Sequence, residues 1–269
     1  MEKFKQLSAK SSFCFSCEKG IACYNKCCGD INIFLTPYDV LRMQKHLGVS
    51  SDEFLSKYCI QPFTKEQKLP VVLLKMQDTA EKECPFVREE GCSIYADRPW
   101  SCRMYPIGLA SQKVRSEDTG GEEFYFLQED AFCQGHATKK EWNVGAWVED
   151  QGALLYEKFS SLYREIILHS YFKKGKDLGP KKMDMFHMVF YKLDTFREFI
   201  FESSFLKRFE VDDKTLDAIK TDDFKLMRFG VDWLKFSLFG EDTMTIRGEI
   251  KEKILGELNE ESSKDSPQP

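Results

Sequence analysis

Thiols are the chemistry that this sequence concentrates. The chain has 269 residues and ten cysteines, the first at Cys14 and the last at Cys133, and the whole second half has none. Their spacing is Cys14-x2-Cys17-x5-Cys23-x3-Cys27-Cys28, then Cys84-x7-Cys92-x9-Cys102, then Cys133, with Cys59 alone between the groups. Thiolates are soft donors that suit zinc, Cu(I) or iron-sulfur clusters, and no histidine stands inside the first group to make a mixed zinc-finger pattern. One tetrahedral ion takes four thiolates, so the cysteines outside Cys59 exceed a single site and imply more than one metal centre. In extended backbone the neighbours Cys27 and Cys28 would point to opposite sides, feeding two metals or two irons of one cluster. Cys59, predicted on a short helix face, reads as a small buried hydrophobe.

Four thiolates around a divalent ion leave a charge of about −2 that N–H groups or cations must offset. Arg98 and Arg103 flank Cys102 and are placed in sequence to supply part of it, against the plainer reading of solvated surface charge. His136, three residues past Cys133, is a candidate ligand or supporting donor. His46, His169 and His187 are scattered and read as surface or core.

The elements that must position these groups change character along the chain. Residues 14–29 have no helical periodicity and read as an irregular ligand loop. Thr36-Pro37-Tyr38-Asp39 supplies a cap, a first-turn proline and an acid three residues on, which predicts a helix ending at Gly48. Ser50 and Glu53 have the same spacing for a second helix through about Tyr58. The runs INIFL, LPVVLLKM and EEFYFL read as strands, and CPFVREEGCSIY as a strand pair that turns around Glu90-Gly91 and brings Cys84 and Cys92 close. From about residue 142 the apolar spacing becomes helical, in Leu155, Phe159, Leu162 and Ile166, in Phe186, Phe190, Leu193 and Ile200, from about Phe224 to Phe239, and through Glu249 to Leu258. KKGKDLGPKK separates the first two stretches as a loop.

The expected fold class is therefore α+β: an irregular cysteine-rich domain of short strands and capped helices over residues 1–150, an all-helical extension over 151–258, and a disordered tail over 259–269. A structural zinc contributes about 10–16 kcal/mol, comparable with the 5–15 kcal/mol stability of a whole domain. The first half is accordingly expected to lose its fold without metal.

Composition narrows the function. Lys and Arg number 39 against 44 Asp and Glu, and the net charge of −5 gives no polyanion-binding face, hence no nucleic-acid partner. The first residues lack the apolar core of a signal peptide and no stretch is long and apolar enough for a membrane span, so the expectation is a cytoplasmic protein without membrane contact, in a compartment where clustered thiols bind metal rather than pair. No radical-SAM C-x3-C-x2-C, G-x-G-x-x-G, P-loop, H-E-x-x-H or C-x-x-C-H motif occurs.

Cys23-x3-Cys27-Cys28, Cys84-Pro85-Phe86, Gly91-Cys92-Ser93-Ile94-Tyr95, Arg98-Pro99-x2-Cys102-Arg103-x-Tyr105-Pro106 and Cys133-x-Gly135 together resemble the YkgJ-type cysteine-cluster family, described as a zinc- or iron-chelating domain, over about residues 14–150. The segment LTPYDVLRMQKHLG resembles that family's helix after the double cysteine. The resemblance implies Cys23, Cys27, Cys28, Cys84, Cys92, Cys102 and Cys133 as metal ligands, with Cys14 and Cys17 in a more variable stretch of the pattern, and either iron, as an iron-sulfur or multinuclear cluster, or zinc. Three functions follow: a redox or modification role at an iron centre, a structural zinc module whose helical half meets a protein partner, or methyl transfer to protein lysines, since flagellin lysine N-methylases carry a similar motif.

Overall fold

A computed structural model describes residues 5–62, 69–112, 122–173 and 177–252. The chain divides into two compact units at residues 178 and 179. The tail expected over 259–269 and the end of the helix expected through Leu258 lie outside the described residues, as does part of KKGKDLGPKK.

The first unit is α+β. In chain order it carries β1 (Ser12–Cys14), α1 (Pro37–Leu47), α2 (Ser51–Tyr58), β2 (Cys59–Ile60), β3 (Leu73–Leu74), β4 (Val87–Arg88), β5 (Gly91–Cys92), α3 (Trp100–Met104), β6 (Ile107–Gln112), β7 (Glu122–Leu127), β8 (Glu141–Asn143), α4 (Val144–Asp150), α5 (Ala153–Ile167) and α6 (Ser170–Lys173). The strands form separate antiparallel ribbons: β1 with β8, β2 with β3, β4 with β5, and β6 with β7. INIFL and LPVVLLKM shrink to a few pairings, Leu73–Leu74 against β2 and a Phe34 to Leu73 bridge.

Local sequence explains α1 and α2. Thr36 and Asp39 form a reciprocal capping box, Pro37 opens the first turn, and Gly48 closes α1 in the left-handed conformation. Ser50 caps α2 through the Glu53 amide. The buried face of α1 then fixes α5. Tyr38 stacks on Phe159 at 4.1 Å between ring centroids and meets Tyr156 edge-on at 4.8 Å. That aromatic packing places α5 in the first unit, so the boundary expected at residue 150 falls later.

The second unit contains α7 (Pro180–Tyr191), α8 (Leu193–Glu202), α9 (Phe205–Arg208), β9 (Phe209–Glu210), α10 (Asp213–Thr221), α11 (Asp223–Leu234), a π-helical turn (Lys235–Phe239) and β10 (Thr245–Ile246). It is helical, as expected, apart from the β9–β10 ribbon of two residues a strand. The single stripe from Phe186 to Ile200 is two helices broken at Lys192. Its core is aromatic: Phe196 stacks on Trp233 at 5.5 Å, and Phe205 meets both Trp233 and Phe229.

Candidate metal centre

The loop that carries the first cysteines is held from two sides. Towards the hairpin, Tyr24 Oη donates to Glu90 O at 2.8 Å and Asn25 Nδ2 to Arg88 O at 2.8 Å, while the Cys84 amide donates to Cys28 O at 2.7 Å. Gly91 makes the first of these contacts possible. Its φ is +120°, and a Cβ there would stand 2.4 Å from Tyr24 Oη. On the other side, the Ser16 amide donates to Gly135 O at 3.1 Å, and the Gln134 amide donates to Cys23 Sγ at 3.2 Å. One loop thus bridges the β4–β5 hairpin, which bears Cys92 just after Cys84, and the segment of Cys133.

Cys102 arrives on α3, which is anchored to α1. The Trp100 amide donates to Asp39 Oδ1 at 2.7 Å, so the carboxylate that caps α1 also receives the start of α3. Asp97, in the 3₁₀ turn Tyr95–Asp97 before it, pairs with Arg42 and with His46 of α1.

The thiols act on one another in two sets. Cys17 is exposed to solvent, yet the protein packed on its inner side pushes its thiol up to about 11, and nearby Cys27, Cys23 and Cys133 push the same way. Cys102 is also exposed by its accessible surface, but the dense protein around its sulfur raises it to about 12, helped by Cys84, Asp39, Cys92 and Cys27. Cys28 is raised first by its hydrogen bond with Cys27, then by burial, with Cys84 and Cys102 adding to the shift. That shared hydrogen bond lowers Cys27 in turn. Cys17, Cys23, Cys27 and Cys133 therefore lie near one another, as do Cys28, Cys84, Cys92 and Cys102, with Cys27 acting on members of both groups and the two joined at Cys27–Cys28. The join is not the extended dipeptide expected: Lys26–Cys28 is a 3₁₀ turn, in which successive side chains are rotated by about 120° and still part.

Donor groups around the thiols offset negative charge. The Phe86 amide lowers Cys84 and the Ile94 amide lowers Cys92, each against a larger rise from burial. Arg98 and Arg103 are 8% and 9% exposed, so neither is the solvated surface charge of the plainer reading. Arg103 donates to Ala96 O, Gln151 O and Tyr156 Oη. Tyr105 Oη and His136 Nε2 are buried without a well-formed hydrogen bond. Burial raises the Tyr105 hydroxyl, with Cys133 and Asp130 beside it. The His136 ring lies 5.4 Å from that of Phe15.

Two cysteines stand apart. Cys14 is exposed on β1 opposite Glu141, and it is not among the thiols that shift Cys17. Cys59 is buried on β2 opposite Leu74, on a strand rather than a helix face, and burial alone raises it to about 12. Asp39, Gln151 and Tyr105 support the centre without a spacing signal of their own. Only the capping box drew attention to Asp39.

Among the described residues, no group of three or more His, Cys, Asp or Glu side chains is already arranged to hold a metal ion. The donors nevertheless fit zinc or iron in kind: soft thiols from four chain segments, with N–H groups and a buried guanidinium to meet their charge. Ligation would require the thiols of each neighbourhood to draw together.

Residues 16–134 match the model of a family named CxxCxxCC and described as "Putative zinc- or iron-chelating domain". This segment is thus similar to that zinc- or iron-chelating domain. The match covers the loop, the hairpin, α3 and Cys133, and excludes Cys14. The literal spacing of the family's name is absent here, since Cys17-x5-Cys23-x3-Cys27-Cys28 is wider. No curated protein and no solved structure matches the chain. Among the described residues no helix is long and apolar enough to cross a membrane.

Proposed function

We propose that the CxxCxxCC-like domain chelates iron or zinc at two adjoining thiolate sites, one formed by Cys17, Cys23, Cys27 and Cys133 and the other by Cys28, Cys84, Cys92 and Cys102. The observation that carries this reading is the sorting of eight thiols into two sets that meet at Cys27–Cys28. Bound iron, alone or with sulfide, would supply one-electron chemistry at a potential set by burial and N–H···S contacts. The chain's own residues hold and shield it: the Gln134, Phe86 and Ile94 amides direct N–H groups at sulfur, and the Phe15, Tyr105 and Trp147 rings cover the Cys133 side.

A second reading has its own support. The strands that carry or flank the thiols are two to three residues long, too short to hold a fold by pairing alone, so zinc at the same residues would serve as a structural cross-link that presents a surface to a protein partner. No feature of the described residues adds weight to lysine methyl transfer.

Anaerobic purification with metal and acid-labile sulfide analysis tests both readings. About two metal ions per chain, or a coloured iron-sulfide centre, is the expected result. Iron with sulfide selects the redox reading and colourless zinc selects the structural one. Protein that binds neither metal overturns both.

A further inference from the structure

Cys102 sits exposed in the middle of α3, while the arginines on either side of it, Arg98 and Arg103, turn inwards and are buried. Two residues of the α4–α5 stretch each hold both arginines. Gln151, at the end of α4, accepts from Arg98 through Oε1 and from Arg103 Nη1 through its main-chain O, the latter at 2.6 Å. Tyr156 of α5 accepts from Arg103 Nη2 at 3.3 Å and donates its hydroxyl proton to Arg98 O at 3.1 Å. The Arg103 guanidinium also lies 4.9 Å from the centroid of the Tyr156 ring.

A helix of five residues has little more than one turn of its own hydrogen bonds and cannot fix its own orientation. External bonds must do so. Asp39 receives the Trp100 amide at the start of α3, and Gln151 and Tyr156 grip the residue that leads into α3 and the arginine of its last turn. Tyr156 and Gln151 are both buried, so losing either set of bonds leaves polar groups unpaired away from water. Both residues lie beyond residue 134, outside the segment similar to the chelating domain, and neither is a soft donor. Pinned from its inner side, α3 is a platform that presents Cys102 on the other.

We propose that Gln151 and Tyr156 are positioning residues of the metal centre: by clamping Arg98 and Arg103 they set the platform that delivers Cys102, so the working chelating unit extends through α5. The inference rests on the two-site reading above, in which Cys102 serves one site only. The clamp therefore supports that site and not its neighbour. By linkage, metal at Cys102 in turn holds α3 against α5.

The test is zinc binding by the full chain, read by competition with a chromophoric chelator at fixed pH. Tyr156→Phe and Gln151→Leu are each placed in two backgrounds: Cys23→Ser, which keeps the site of Cys102, and Cys28→Ser, which keeps the other. Each is expected to weaken zinc at the Cys102 site by about fivefold or more and to leave the other site within about twofold. Selectivity is the readout, since loss of fold alone would weaken both sites. Leu162→Val, a buried change further along α5, is expected to shift the two sites alike. A variant that needs zinc to fold is read by the free-zinc midpoint of its circular dichroism, with the same ranking expected. A clamp substitution that weakens both sites equally or neither, or equal selectivity from Leu162→Val, would overturn the proposal. Zinc binding that survives Cys102→Ser unchanged, or vanishes with Cys23→Ser alone, would instead refute the two-site reading, before Gln151 or Tyr156 is compared.

Discussion

The amide of Cys84 donates to the carbonyl of Cys28 at 2.7 Å, which ties the double cysteine to the β4–β5 hairpin by backbone rather than by thiol chemistry. Together with the Gly29 to Glu83 bridge, it sets the two chain segments in register. Cysteines far apart in sequence are thus brought to one place by main-chain bonds that do not depend on sulfur.

Two sites predict separable losses of metal. Cys23→Ser and Cys28→Ser should each remove about one metal equivalent per chain, and the double variant about two. Cys14→Ser and Cys59→Ala should leave metal content unchanged, the latter costing only about 1 kcal/mol of stability. Elemental analysis of the purified variants checks this. Loss of all metal on replacing Cys23 alone would mean one fused cluster rather than two sites.

What could be read from sequence was local. The Thr36 and Ser50 caps, the Gly48 stop and the pairing of Val87 with Cys92 all depend on residues within a few positions of one another, and all are found. The partition of the thiols was not legible, because it follows from Tyr24, Asn25 and Gln134 reaching across long stretches of chain. The assignment of α5 to the first unit was hidden for the same reason. Periodicity shows that Tyr156 and Phe159 face a core, but not that the core is Tyr38. Lys192 breaks a stripe that 3.6-residue spacing alone reads as continuous.

Metal removal should loosen the first unit selectively. With zinc withdrawn by a strong chelator, the amides of Cys84 and Ser93, which bond to Cys28 O and Phe86 O, should exchange with solvent at least about tenfold faster. Amides within α8 and α11, built on the aromatic packing of Phe196 and Trp233, should keep their protection. Hydrogen exchange read by mass spectrometry decides it. Unchanged exchange at Cys84 would show that backbone bonds alone hold the domain.

Asp39 gives the metal-free protein a pH dependence of definite sign. Full burial raises its carboxyl from 3.8 to about 6, against the pull of the Thr36 and Trp100 donors and Arg103. The native state therefore binds its proton more tightly than the unfolded chain, and the stability this confers is present below pH 3.8 and lost as pH rises through about 6. The difference is on the order of 3 kcal/mol. Urea unfolding of the apo protein at pH 4.5 and 7.5, wild type against Asp39→Asn, should show a steeper loss of stability with rising pH in the wild type. Identical slopes would mean that Asp39 titrates as it does in water.

Gly230 tests packing in the second unit. It lies inside α11, where alanine is normally favoured over glycine by about 1 kcal/mol. A Cβ at this position would stand 2.6 Å from Val189 Cγ1 and 2.8 Å from Phe196 Cε1, and both of those side chains are fully buried. Overpacking of that kind costs about 1–3 kcal/mol, so the clash outweighs the helical gain. Gly230→Ala should lower the thermal midpoint of the full chain, whereas Gly248→Ala, which meets no neighbour within 4 Å, should not. Adding Val189→Ala to Gly230→Ala should cost less than the two single losses combined, because the second substitution removes the methyl that the first one strikes. Strict additivity in that double-mutant cycle would show that α11 shifts away from α7 rather than pressing against it.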